Sequence, residues 1–103
     1  MRGEHDDCIR IAYEWLDSQQ ITRNIRRIYR LIKHLIEEWA GRYVSQSDVE
    51  VAAELRPKIR GKYPRFNISR HLVLPSNVRL ANIQLAKTQN YELCAEDYAS
   101  TEA

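Results

Sequence analysis

Six cations within residues 56–71, RPKIRGKYPRFNISRH, are the side chains of this sequence best suited to chemistry: Arg56, Lys58, Arg60, Lys62, Arg65 and Arg70. Tyr63 and Phe66 lie between them, and the stretch holds no acidic residue. The chemistry this suits is binding of a polyanion, in which several cations approach phosphates together and release counterions. Aromatic planes and backbone N–H groups beside the cations would add stacking and positioning contacts.

Other chemistries have less to work with. The chain has no glycine-rich phosphate loop and no nucleophile elbow. His34-Leu35-Ile36-Glu37-Glu38 has the first histidine and the glutamates of a helical zinc motif but lacks its second histidine. His5, Cys8, His71 and Cys94 are too irregularly spaced to read as a metal site. Ser69 and His71 stand two apart in a stretch read as helix, where they would point apart rather than pair as nucleophile and base. The expectation is a non-enzymatic protein with no catalytic residue, metal or cofactor.

The elements that must position the cations follow from periodicity. Cys8, Ile11, Ala12, Trp15 and Leu16 make one apolar stripe on a helix from about Glu4 to Ser18, with acids in its first turn where the helix dipole favours them. Ile21, Ile25, Ile28, Ile32, Leu35, Ile36 and Trp39 step by three and four, which predicts a second helix over about 22–40 closed by Gly41. Arg23, Arg27, Arg30 and His34 line its opposite face. Ser45 with Asp48 forms a capping box, and Val44 with Val49 a hydrophobic staple, for a third helix that stops near Pro57. The stretch RFNISRHL reads as a short helix with Phe66, Ile68 and Leu72 inward. Ser76 caps a last helix to about Lys87, although HLVLPSNVRL reads also as a hairpin.

At 103 residues the chain fills one domain. The expected fold class is all-α, a single domain of four or five helices over residues 1–89, with a short β-hairpin wing at 71–80 as the alternative to its last helix. Residues 90–103 form an acidic C-terminal tail, expected to be mobile at its end. The net charge of +2 conceals blocks of one sign, since residues 56–90 hold eight bases and no acid while the last thirteen hold four acids and no base. Such blocks speak to fields and partners rather than to fold. No apolar run approaches the length of a membrane span, so no membrane partner is expected. The polar, acidic start MRGEHDDC and two distant cysteines lead to the expectation of a cytoplasmic chain with free thiols.

VSQSDVEVAAEL, followed by a connection and NISRHL, resembles the two helices of a helix-turn-helix DNA-binding unit spanning residues 45–72. The usual turn in that family is about three or four residues. Here residues 56–64 lie between, which makes the resemblance one to a looser, winged-helix-like form with HLVLPSNVRL as the wing. The resemblance implies a small DNA-binding regulatory protein that acts in transcription regulation. It implies Arg60, Lys62 and Arg65 as phosphate contacts, with Asn67, Ser69 and Arg70 reading base edges. Arg23, Arg27, Arg30 and Arg79 are the candidates for extending that footprint. DNA is expected over RNA, and a homodimer is left open. The alternative function is a protein-binding adaptor or inhibitor that docks on an acidic partner surface.

Overall fold

The apolar stripe expected on the first helix forms as read. In the computed structural model, which describes residues 4–27 and 30–103, α1 runs Glu4–Asp17 and buries Cys8, Ile11, Ala12, Trp15 and Leu16. This stripe packs chiefly along α3 (Gln46–Leu55), whose Val49, Ala52 and Ala53 are also buried. Between them in sequence comes α2 (Ile32–Ala40), which contributes Ile32, Leu35, Ile36 and Trp39 to the same core.

The all-α expectation is overturned: the described residues form three α-helices and five short strands in two sheets. The expected second helix over 22–40 divides into strand β1 (Ile21–Arg27) and α2, and Ile28 lies outside the described residues. The β-branched pair Ile21-Thr22 favours extended backbone. A register shift between Ile21 and Arg26 bulges the strand and leaves Ile25 exposed. The expected recognition helix NISRHL is also absent. Of its residues Asn67 and Ile68 lie in β3 (Arg65–Ile68), whose Phe66 and Ile68 enter the core, and residues 69–72 belong to no helix or strand. A hairpin joins β3 to β2 (Gly61–Lys62) through a turn containing the cis Tyr63–Pro64 peptide, and β3 is the central strand of the antiparallel order β1-β3-β2. Gly61 has φ +105, and a Cβ there would sit against the Arg65 carbonyl oxygen, so this hairpin needs glycine.

The α2–α3 connection is fixed by the caps at its two ends. Gly41 takes a left-handed conformation and its N–H bonds to the Glu37 carbonyl. The Ser45 side chain accepts from the Asp48 N–H at 3.2 Å, and Asp48 reaches back to the Ser45 N–H at 3.4 Å, closing the capping box. Glu37 is buried, but Lys33 Nζ donates to it at 2.7 Å and the Val44 N–H at 3.2 Å, so its charge ties α2 to the turn before α3.

The wing expected at 71–80 is not a hairpin. β4 (Val73–Leu74) pairs in parallel with β5 (Ser100–Thr101), and Asn77–Leu80 form a 3-10 helix capped by Ser76. The expected last helix to Lys87 is reduced to that single turn, since Lys87 has φ 63 and bonds back to the Ala40 carbonyl. Within the expected acidic tail, Ala95–Asp97 form a second 3-10 turn, and Tyr98 Oη accepts from Trp15 Nε1 at 3.0 Å. Gln19, inside the segment DSQQ, both donates to the Val73 carbonyl at 2.8 Å and accepts from its N–H at 2.9 Å, so a buried carboxamide substitutes for a neighbouring strand.

Candidate nucleic-acid interface

The basic block is carried by the connection from α3 and by the hairpin that follows. Ladder registration sets its geometry. Lys62 pairs with Arg65 across the hairpin, and Arg65 pairs with Arg27 on the other side, so three basic positions align across all three strands. Like charges directly opposite in a sheet disfavour it unless something neutralises them. Among the described residues no carboxylate pairs with Lys62 or Arg65, and both are exposed. Arg23, Lys58 and Arg70 are likewise exposed and make no described ion pair. Lys58, named among the six cations but not among the expected phosphate contacts, has φ 75.

Arg60 links the connection to the sheet. Its Nη2 donates to the Arg23 carbonyl at 2.5 Å and its backbone N–H donates to Asn67 Oδ1 at 2.6 Å, leaving other guanidinium N–H groups toward solvent.

The residues expected to read bases are placed differently. Asn67 is 1% exposed, and its Nδ2 donates to the carbonyls of Lys58 at 2.9 Å and Thr22 at 3.3 Å. It therefore joins β1, β3 and the connection rather than facing a ligand. Ser69 is buried and its Oγ accepts from the His71 N–H at 3.0 Å. Arg70 alone of that trio is exposed. Phe66 lies in the core and Tyr63 meets its ring edge-on at 6.4 Å between centroids, so this aromatic pair anchors the hairpin.

Of the four candidates for a wider footprint, Arg23 and the backbone of Arg27 belong to the sheet face. Arg30 and Arg79 are engaged by acids. Arg30 bonds to both Glu38 and Asp97, which raise its pKa above the usual arginine value. Arg79 donates to Glu102 at 2.7 Å, to Glu14 at 2.8 Å and to Asp17 at 3.0 Å. The Arg79 bond is the main reason the Glu102 carboxyl is pulled down to about 2. Asp17 also meets Arg56 at 2.9 Å, so the first cation of the block is paired as well. The acid-free block is thus partitioned by tertiary contact into neutralised cations around α1 and free ones on the sheet.

Among the described residues no cluster of three or more His, Cys, Asp and Glu could hold a metal ion. His5 Nδ1 lies 3.0 Å from Asp48, and the Cys8 thiol faces the Tyr43 carbonyl. No described helix is long and apolar enough to cross a membrane. No protein-family model matches the chain, and no curated protein or solved structure matches it either.

Proposed function

We propose that this protein binds nucleic acid, DNA in preference to RNA, through the β2–β3 hairpin and the adjoining β1 strand, as a small non-enzymatic regulatory protein of the cytoplasm. The observation that carries the reading is the row Lys62, Arg65 and Arg27, held in register across the sheet with no described counter-charge on Lys62 or Arg65. Such a row costs stability in the free protein and is offset when phosphates supply the missing anions. Arg23, Lys58 and Arg60 border it and extend the set of phosphate contacts.

The exposed face of α3 carries Glu50 and Glu54, which repel phosphates, so the hairpin rather than the helix is the element that approaches the ligand. Contacts of this kind fix position on the backbone and carry little sequence information.

The test is an electrophoretic mobility shift with random-sequence duplex over a salt series. Charge reversal of Arg60, Lys62 and Arg65 to glutamate should abolish binding while circular dichroism stays native. Each phosphate contact contributes about 0.9 to the salt slope on duplex DNA. Wild-type affinity in the reversed protein would sink the proposal. Binding to an acidic protein surface would use the same cations, and it predicts no retardation of the duplex by the wild-type protein.

A further inference from the structure

We propose that the groove between α3 and the β2–β3 hairpin binds a partner polypeptide through a segment in which one basic side chain is flanked by apolar ones. The groove has a volume of about 340 Å³ and a floor made from Ala53, Ile59, Tyr63 and Phe66. Its α3 wall is Glu50 and Glu54, one helical turn apart. The placement of these two acids is costly to the helix in two ways. Like charges at this spacing repel. Glu54 also lies in the last turn of α3, where the negative end of the helix dipole disfavours a carboxylate and no basic residue compensates. Glu50 is met by the Gln46 amide at 3.4 Å, and neither acid makes an ion pair with a described residue.

Beyond this acidic ridge the helix turns an apolar strip to solvent. Val51 and Leu55 are 40% and 60% exposed and follow Glu50 and Glu54 by one residue each, so they occupy the next row round the helix. The surface therefore reads apolar, acidic, apolar across its width. A complementary segment places an apolar side chain in the groove, a lysine or arginine over Glu50 and Glu54, and a second apolar side chain against Val51 and Leu55. Lys62 on the far rim limits the cationic character of the segment. A polybasic tract would be repelled there, whereas an isolated cation reaching the ridge is not. This surface is independent of the nucleic-acid reading, which rests on the opposite charge and on different side chains apart from Lys62.

The probe is a short fluorescein-labelled peptide in which one arginine stands between leucines, compared with the same peptide carrying glutamate in place of arginine. Fluorescence polarisation with the full chain should show the arginine peptide binding at least about tenfold more tightly. The exposed double variant Glu50→Gln/Glu54→Gln, with a native circular dichroism spectrum, should lose that preference, and Leu55→Ser should weaken binding of both peptides. The proposal is overturned if the arginine peptide does not bind at millimolar concentration, if the two peptides bind alike, or if the double variant keeps the preference. Sedimentation showing that Glu50 and Glu54 instead support self-association would also overturn it, by making a second copy the occupant.

Discussion

Replacing Asn67 by alanine separates a structural role from ligand contact at the residue that most resembled a base reader. The carboxamide makes three described hydrogen bonds, accepting from the Arg60 N–H and donating to the carbonyls of Lys58 and Thr22. A net bond of this kind contributes roughly 0.5–1.5 kcal/mol, so three together give about 1.5–4.5 kcal/mol. Arg60 and Lys58 are exposed residues, where water can replace part of what the carboxamide supplied. The expected loss for Asn67→Ala is therefore about 2–3 kcal/mol. Urea denaturation followed by tryptophan fluorescence reads it as a lower midpoint with an unchanged slope. Under native conditions the folded variant should bind duplex DNA within about threefold of wild type, a change worth under ~0.7 kcal/mol. A variant of wild-type stability that no longer binds would refute the reasoning and return Asn67 to the ligand surface.

Two further outcomes follow from the core and from the Arg79 network. Ile32 is fully buried at the start of α2, so Ile32→Ala should lower stability by about 2–5 kcal/mol in the same denaturation experiment, and a loss below about 1 kcal/mol would contradict its place in the core. Glu102 has its pKa lowered from 4.5 to about 2, so its contribution is present above pH 4.5 and disappears as the pH falls toward 2. With the side chain 26% exposed, solvent screening trims that contribution to roughly 2 kcal/mol. The stability difference between wild type and Glu102→Gln should therefore shrink over that interval, and a difference constant with pH would count against the ion pair.

Local signals in the sequence were legible where the partners are close along the chain. Ser45 and Asp48 are three residues apart and form the capping box that their types specify. Gly41 ends α2, and Trp15, Leu35 and Trp39 fill the core that their periodicity describes. What failed depended on distant partners. The four-residue spacing of Ile21 and Ile25 fits a helix, yet β3 some forty residues later recruits Ile21 to a strand through its pairing with Ile68. Asn67 and Ser69 are polar, and only their backbone partners on β1, the connection and the segment after β3 explain why they are inside. The candidate interface was half legible. The acid-free block was visible as a run of charge, but its Arg79 is neutralised by Glu14, Asp17 and Glu102, and Arg30, outside the block, by Glu38 and Asp97, acids spread from the first helix to the residue after the last strand. The cross-strand row that remains exists only once the register is set.

The hydrogen bond from Trp15 to Tyr98 joins residues 83 positions apart. During synthesis the first helix therefore emerges long before the group that satisfies its indole, and β4 waits similarly for β5. Contacts of such separation are slow to form because the intervening chain must lose its freedom first. The helices and the hairpin can assemble from nearer neighbours, while the closing of α1 against the Tyr98 segment comes late. In a growing chain, the basic hairpin would thus be shaped before the acids near its end have settled on Arg30 and Arg79. For that interval Arg30 lacks Asp97 and Arg79 lacks Glu102, so the nascent protein carries more uncompensated positive charge than the finished one.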